Sequence, residues 1–169
     1  MKKLLLIVLF CLCLAGCSRT VWESVEDAEA AETASWQDET YLIQLGLPDG
    51  VSLLEERDNW KLYGTKNEEL EIMTGKFLAS DLDNAVQTLS GFGADRLTIL
   101  EKTKFDLPEY QFAWVTQTDG GCRVCRASLV MDGTDCYAIV CSRPEEDSDY
   151  DRQIRQVFST FGLCIDEGV

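Results

Sequence analysis

The spacing of apolar residues divides this chain into three parts. Residues 4–14 are apolar without a break, residues 18–38 are rich in Ala, Glu, Ser and Thr, and a periodic pattern begins at Tyr41. In the third part apolar and polar residues alternate until turn residues such as Leu47-Pro48-Asp49-Gly50 interrupt them. This alternation is typical of half-buried strands. It predicts strands over residues 41–45, 51–56, 60–63 and 70–77.

A helix and four further strands are predicted next. Over residues 82–89 the apolar residues recur at i, i+3, i+4 and i+7, which indicates a helix. Ser80 or Asp81 can cap its start, and Gly91 can end it. Four strands follow, over residues 96–104, 110–118, 122–131 and 136–142. We expect the turns between them at Leu107-Pro108, Asp119-Gly120-Gly121 and Asp132-Gly133, the last of which is a strong hairpin signal.

The last predicted element is a helix over residues 148–161. Ser148 and Asp151 have the spacing of a capping box at its start, and its buried stripe would consist of Ile154, Val157, Phe158 and Phe161. Strands, a helix, an antiparallel run and a second helix make an α+β domain. We therefore predict a curved antiparallel sheet of about six to seven strands with helices packed on its faces. The domain would span residues 40–164, with a C-terminal tail over residues 165–169.

The first seventeen residues have the layout of an exported precursor. Lys2 and Lys3 precede the apolar run, which is shorter than the roughly 20 residues that a membrane-spanning helix needs. The run ends in Leu14-Ala15-Gly16-Cys17, which resembles the lipobox of bacterial lipoproteins. The resemblance implies that residues 1–16 are a signal peptide. It also implies that the Cys17 thiol receives a diacylglyceryl group and that Cys17 becomes the mature N-terminus.

Such an anchor predicts an extracytoplasmic location on a bacterial membrane, and either the cell membrane or an outer membrane would fit. Two or more acyl chains hold a protein on a bilayer stably. Residues 17–39 would then be the lipidated N-terminus and an acidic, flexible tether between the membrane and the domain.

The charge of the chain narrows the range of partners. It has 30 acidic and 15 basic residues, a net charge of −15, and loss of residues 1–16 would remove two lysines and no acid to give −17. A surface this acidic is repelled by nucleic acids and by anionic lipid headgroups. We expect no nucleic-acid partner, and we expect the lipid to hold the protein on the membrane without help from a basic patch.

The chain contains no histidine. Ser-His-Asp and Cys-His catalysis and the commonest zinc sites all need histidine. No other catalytic or cofactor motif is visible, so we expect a protein that is not an enzyme and holds no cofactor. Carboxylate, lysine and thiol chemistry stay open at this point. The thiols that would remain in the mature domain are Cys122, Cys125, Cys136, Cys141 and Cys164.

Cys122 and Cys125 have CxxC spacing. In redox enzymes this motif lies at a helix N-terminus, where the thiolate is stabilised. Here it lies in a predicted strand, so the two side chains would point to opposite faces, which favours a structural role over a redox or zinc site. With a two-residue turn at Asp132-Gly133, Val124 would lie opposite Cys141, and Cys122 would lie diagonally across from Cys141. A Cys122–Cys141 disulfide is then one hypothesis, and buried core thiols are the other.

Two further groups of residues have both a functional and a structural interpretation. Residues 147–151 begin like a calcium loop, but Arg152 and Phe158 occupy the positions where an EF-hand has Gly and Glu. Acidic residues at a helix start are explained by the helix dipole alone. A set of strand aromatics could line a ligand pocket, although such residues more often fill a core. These aromatics are Trp60, Tyr63, Tyr110, Phe112, Trp114 and Tyr137.

Several motifs occur in a fixed order along the domain. They are Leu47-Pro48-Asp49-Gly50 after the first strand, the helix over residues 82–89, Pro108-Glu109-Tyr110 at a strand start, the hairpin over residues 131–139, and residues 142–145 before the last helix. Over residues 41–163 this order resembles the PsbP-like fold. That fold is shared by the extrinsic photosystem II protein, a Ran-binding nuclear import factor of the Mog type and many small bacterial lipoproteins.

The resemblance implies a non-catalytic envelope protein and transfers no ligand, because a fold does not fix a function. We therefore expect a binding or accessory module for another envelope component. A lipoprotein that binds a small ligand and serves a transporter is the alternative, and a thiol-redox protein is a third hypothesis.

Overall fold

The structure, a computed structural model, describes residues 41–67, 69–146 and 149–165. These residues belong to one compact unit. Cys17, the predicted signal peptide and the predicted tether lie outside the described residues, as do Ser148 and residues 166–169. No helix within the described segments has the length and apolarity that crossing a bilayer requires.

The described residues form nine strands, two α-helices and one 3₁₀ turn. The first strands are β1 (Tyr41–Gln44), β2 (Ser52–Arg57), β3 (Trp60–Gly64) and β4 (Glu71–Leu78). They are followed by α1 (Leu82–Ser90) and the 3₁₀ turn (Ala94–Arg96). The remaining elements are β5 (Leu100–Lys104), β6 (Leu107–Thr118), β7 (Gly121–Asp132), β8 (Asp135–Pro144), α2 (Asp151–Thr160) and β9 (Gly162–Ile165).

Seven of these strands form one antiparallel sheet in the order β2-β3-β4-β8-β7-β6-β5. After β4 the chain passes through α1 to β5, at the far edge of the sheet. It then returns through β6 and β7 to β8, which lies beside β4. The last strand of the meander then closes against β4. The predicted α+β class and the strand number are confirmed.

The two helices cover opposite faces of this sheet. Ala85 and Val86 of α1 pack on the face that carries Cys125, Ala127 and Leu129. α2 packs on the other face, with a buried stripe of Ile154, Val157 and Phe161 against Val130, Tyr137, Ile139 and Cys141. Fully burying one aliphatic side chain contributes about 1.5–3 kcal/mol. Because both of their faces are covered there, residues 127–131 of β7 and 136–143 of β8 are buried without a break instead of alternating.

The first helix is capped as expected. Asp81 accepts a hydrogen bond from the Asn84 amide at 2.9 Å, and Gly91 ends the helix in the left-handed conformation at φ 78°. The second helix, predicted over residues 148–161, begins at Asp151 and ends at Thr160, with Phe161 as its C-cap. At its start the residue before Asp151 is Tyr150, whose side chain makes no capping bond.

The sequence did not predict β9. This strand pairs with β1 in a separate two-stranded sheet, with Tyr41 opposite Ile165 and Gln44 opposite Gly162. It extends one residue beyond the predicted domain boundary at residue 164. A four-residue strand that begins two residues after a helix has too short an alternation to be recognised from its pattern.

Two predicted turns are wrong. The turn between β5 and β6 is Phe105-Asp106, not Leu107-Pro108, and Pro108 lies within β6 opposite Thr103. Phe105 and Asp106 have φ of 55° and 60°, the conformation of a type I′ turn, which fits the twist of a hairpin but is rare for phenylalanine. Proline is tolerated near the start of a strand, so Pro108 does not interrupt β6. β5 also starts at Leu100, because residues 94–96 form the 3₁₀ turn.

The turn between β7 and β8 is displaced by one residue. Asp132 pairs with Asp135, so the two turn residues are Gly133 and Thr134, with Gly133 at φ 60°. The expected register assumed that Asp132 was itself in the turn. Every pair along these two central strands is therefore shifted by two positions, which keeps the faces as predicted but changes the neighbours.

Candidate functional site

The shifted register contradicts the Cys122–Cys141 disulfide. Cys141 lies opposite Arg126, and Cys122 lies four residues further along β7, where its carbonyl accepts a bond from the Glu145 amide at 2.9 Å. Four residues of strand span about 13 Å, whereas the Cα atoms of a disulfide are usually about 4.4–6.8 Å apart. Both thiols are free in the structure.

The CxxC cysteines point to opposite faces, as predicted. Cys122 is exposed and donates to Gln117 Oε1 at 3.0 Å, whereas Cys125 is buried beneath α1. Burial raises the pKa of the Cys125 thiol to about 11. It raises the pKa of Cys136 to about 11 and that of Cys141 to about 12. Since the thiolate is the reactive form, these three side chains are unsuited to redox or nucleophilic chemistry near neutral pH.

No three His, Cys, Asp or Glu side chains within the described ranges are grouped closely enough to hold a metal ion. Asp151, at the start of α2, instead forms ion pairs with two arginines. The Arg143 Nε donates to Asp151 Oδ1 at 2.8 Å, and Arg126 lies 3.5 Å from the same oxygen. The hydrogen bond from Arg143 holds the pKa of Asp151 below its ordinary value. This ion pair fastens α2 to β8 and β7.

A second charged group lies at the same end of these strands, on the other face of the sheet. Arg123 is 3.2 Å from Glu71, and Ser142 donates to the same carboxylate oxygen at 3.0 Å. Arg123 also donates to the Ser142 Oγ. These side chains satisfy one another across β4, β8 and β7, so they serve the sheet and are not arranged to act on a substrate.

An open cleft lies beside α2, between the helix and strands β5, β6 and β7, with a volume of about 510 Å³. We call it the α2 cleft. Three cations from three elements line it: Lys102 of β5, Arg126 of β7 and Arg155 of α2. The other lining residues are uncharged. They are Thr98, Leu100, Gln111, Phe112, Ala113, Ala127, Ile154, Phe158 and Ser159.

A different groove follows α1 on the opposite face. It consists of two adjoining clefts of about 430 and 290 Å³, which share Leu62, Met73 and Leu89. A further cleft of about 490 Å³ lies between β1 and the β2–β3 hairpin. Its charged lining residues carry both signs.

The predicted aromatic pocket does not form as one site. Phe112, Trp114 and Tyr137 are buried in the core, on different faces of the sheet. Trp60 and Tyr63 are the members that line the cleft beside β1. The structural interpretation of these aromatics therefore holds for most of the set.

Edge strand β2 presents apolar side chains to solvent. All six of its residues are exposed, and Leu53 and Leu54 are 48% and 47% exposed. A register irregularity lies between Leu53 and Glu55. Irregularities of this kind protect sheet edges from pairing with other chains, so this edge is suited to side-chain contacts more than to strand addition.

No family model and no curated protein sequence matches the chain. Among solved structures it is similar to a protein of Bacteroides thetaiotaomicron, with 11% identity and a TM-score of 0.52 over 75% of this chain. That match covers 46% of the Bacteroides protein, so the chain spans about half of its length. Identity this low bears on the fold alone.

Two other solved structures have lower TM-scores. One is LpqN of Mycobacterium tuberculosis, a protein involved in cell envelope biogenesis, with 13% identity, a TM-score of 0.49 and coverage of 76% of this chain and 87% of LpqN. The other is the cyanobacterial PsbP of Synechocystis, with 11% identity, a TM-score of 0.46 and coverage of 72% and 92%. The latter belongs to the family that the order of motifs resembles.

Proposed function

We propose that this protein is a lipid-anchored, extracytoplasmic accessory module that binds another component of a bacterial envelope and catalyses no reaction. The lipobox-like Leu14-Ala15-Gly16-Cys17 supports the anchor and the location. The order of motifs that resembles the PsbP-like fold supports the accessory role. LpqN, a structure to which the chain is similar, is described as involved in cell envelope biogenesis, which agrees with the proposed location.

One structural observation carries the binding role. The nucleophilic thiols of the core are shielded and have raised pKa values, while clefts on both faces and apolar side chains on β2 remain open to solvent. A surface with open clefts and exposed apolar side chains is suited to binding a partner or ligand. The buried thiols, by contrast, cannot reach a substrate. The same observation argues against a redox role for the buried Cys125, Cys136 and Cys141.

The anchor is tested by replacing Cys17. We expect Cys17→Ala to abolish lipid attachment, so that the protein is no longer extracted with the membrane, and mass spectrometry of the wild-type N-terminus should find an acylated cysteine. Cys13→Ala is the matched control, because it removes another thiol of the N-terminal segment and should leave the protein on the membrane. An unmodified Cys17 in the wild type, or recovery of wild type from the cytosol, would contradict the proposal.

The partner is tested by crosslinking in intact cells. A photoreactive residue at Leu54, on the exposed edge, should give a discrete crosslinked species. The control position is Asp119, which lies at the exposed tip of the β6–β7 hairpin. Equal and diffuse labelling from both positions would count against a defined partner on β2.

A second candidate function, binding of a small ligand, is favoured by the α2 cleft. Its volume of about 510 Å³ falls in the range of about 300–1,000 Å³ that ligand sites occupy. A ligand-binding lipoprotein could serve a transporter, with its ligand held between the sheet and the second helix.

A further inference from the structure

The charge of the α2 cleft is opposite to that of the chain. Acidic residues outnumber basic ones by 30 to 15 in the whole sequence, yet the cleft is lined by Lys102, Arg126 and Arg155 and by no carboxylate. Cations that converge on a cleft with apolar walls produce a locally positive potential, and the low dielectric of the walls strengthens it. This local reversal of charge indicates a negatively charged ligand.

Two of the three cations are not used in ion pairs by the rest of the domain. Lys102 donates to the neutral Gln111 Oε1 at 3.1 Å. Within the part of the chain that the structure describes, no carboxylate lies within salt-bridge distance of Lys102 or Arg155. Their positive charge is therefore available to a ligand.

The third cation is only partly neutralised. Arg126 is 3.5 Å from Asp151, but this carboxylate is bound more closely, at 2.8 Å, by Arg143. The other acid nearby is the buried Glu109, which lies 3.9 Å from the Lys104 ammonium and accepts hydrogen bonds from Ser128 and Gln111. Each of these acids is thus paired with a cation that does not line the cleft, Arg143 for Asp151 and Lys104 for Glu109, so the cleft keeps a net positive charge.

The remaining wall of the cleft is apolar. Leu100, on edge strand β5, is 53% exposed, and Ile154 and Phe158 of α2 and Ala113 of β6 line the same space. A small inorganic anion would leave this wall in contact with water. A molecule that joins an apolar group to an anion would cover the wall and neutralise the cations together.

We propose that the α2 cleft binds a small amphiphilic anion, a carboxylate or a phosphate monoester attached to an apolar group. Lys102, Arg126 and Arg155 contact the anion, and the Leu100–Phe158 side of the cleft covers the apolar group. Arginine forms bidentate hydrogen bonds with carboxylates and phosphates alike. This site goes beyond the accessory role, and its ligand is not the proposed envelope partner on β2.

Calorimetric titration of the purified full chain with four compounds tests the site. The probes are decanoate, decyl phosphate, decyl maltoside and inorganic phosphate, each below its micelle-forming concentration where it forms micelles. We expect decanoate or decyl phosphate to bind at least about tenfold more tightly than the other two. Decyl maltoside lacks the anion that the cations would bind, and inorganic phosphate lacks the apolar chain that would cover the wall. Tighter binding of decanoate would identify the natural ligand as a carboxylate, and tighter binding of decyl phosphate would identify it as a phosphate monoester.

The variant Lys102→Gln/Arg155→Gln removes two charges that make no described ion pair, so it should fold normally. We expect it to weaken binding of the acid by about tenfold or more and to remove most of the salt dependence of binding. Lys66→Gln/Arg96→Gln is the matched control, because it removes the same charge from exposed positions outside the cleft.

Three results would overturn the proposal. Equal affinity for decyl maltoside would show that charge is not recognised, and equal affinity for inorganic phosphate would show that the apolar wall is not used. Equal loss of binding in both double variants would show that only the overall charge matters. Crosslinking from Leu54 should be unchanged in Lys102→Gln/Arg155→Gln, so failure of the ligand site and failure of the accessory role are separate outcomes.

Discussion

Arg143 at the end of β8 and Asp151 at the start of α2 form an ion pair, with Nε and Oδ1 2.8 Å apart. Arg143 is 7% exposed, and its guanidinium also donates to the carbonyls of Pro144 and Glu145. The ion pair therefore joins three parts of the chain: the last central strand, the segment that follows it and the second helix. A side chain expected to cap the helix instead anchors it to the sheet.

The ion pair makes the stability of the domain depend on pH. Asp151 has a pKa below its ordinary value of 3.8, because the hydrogen bond from Arg143 favours the carboxylate. Its contribution is thus fully present above that value and is lost as the pH falls through the lower pKa of the folded state. We expect Asp151→Asn to lower the free energy of unfolding at neutral pH by about 0.5–1 kcal/mol, since the pair is partly exposed.

Urea unfolding of wild type and Asp151→Asn over a range of pH measures this difference. The difference should stay constant from neutral pH down to about pH 5 and shrink below the ordinary Asp pKa of 3.8. Asp119→Asn is the control, since Asp119 lies in an exposed hairpin turn where asparagine serves equally well. A difference between wild type and Asp151→Asn that grows as the pH falls would refute this account.

The sequence predicted the elements of the fold well where each had a strong local period. The stripe of α1, its cap at Asp81 and the long strands β6 to β8 all follow from local patterns. The pairing of β4 with β8 could not be predicted in this way, because alternation shows which side of a strand is buried and not which strand lies beside it. β9 was missed because it is too short to have a period.

The candidate site was harder to predict than the fold. Lys102, Arg126 and Arg155 lie on three elements and share no motif, so only the sheet order and the position of α2 bring them to one cleft. The sequence offered one signal for this site: basic residues are few in an acidic chain, so each of them is a candidate for a specific role. The CxxC spacing of Cys122 and Cys125 is not a sign of redox chemistry here, because, as the predicted strand indicated, strand geometry places the two side chains on opposite faces.

Gly75 is required by the close approach of β3. A Cβ at this position would lie 2.6 Å from the Asn59 carbonyl oxygen and would also overlap the Trp60 ring, which stacks on Phe77. We expect Gly75→Ala to destabilise the domain by about 1–3 kcal/mol, because the backbone carbonyl cannot move aside as a flexible side chain could. Thermal unfolding should show this against Gly120→Ala, whose Cβ would meet only the Thr118 hydroxyl at 3.8 Å. Equal stability of the two variants would be evidence against the close packing of β3 on β4.

Ser128 holds a buried carboxylate in place near the α2 cleft. Its hydroxyl is fully buried and donates to Glu109 Oε1 at 2.6 Å, while Glu109 is 5% exposed. We expect Ser128→Ala to lower the free energy of unfolding by about 1–3 kcal/mol, because a buried charged acceptor loses a donor. Ser52→Ala, on the exposed strand β2, is the matched control in chemical denaturation. If both variants have wild-type stability, the hydrogen bond from Ser128 contributes nothing.

The thiols should differ in reactivity according to their burial. Cys122 is exposed, Cys164 is intermediate, and Cys125, Cys136 and Cys141 are buried. A pulse of N-ethylmaleimide followed by peptide mapping should label Cys122 first and Cys164 next. The buried thiols should be labelled only after denaturation, because burial both blocks access and raises their pKa values to about 11 or 12. Cys122→Ala should abolish the fast labelling and leave the protection of the other thiols unchanged. Recovery of a peptide that joins Cys122 to Cys141 through a disulfide would contradict both the register of β7 on β8 and the protection that follows from it.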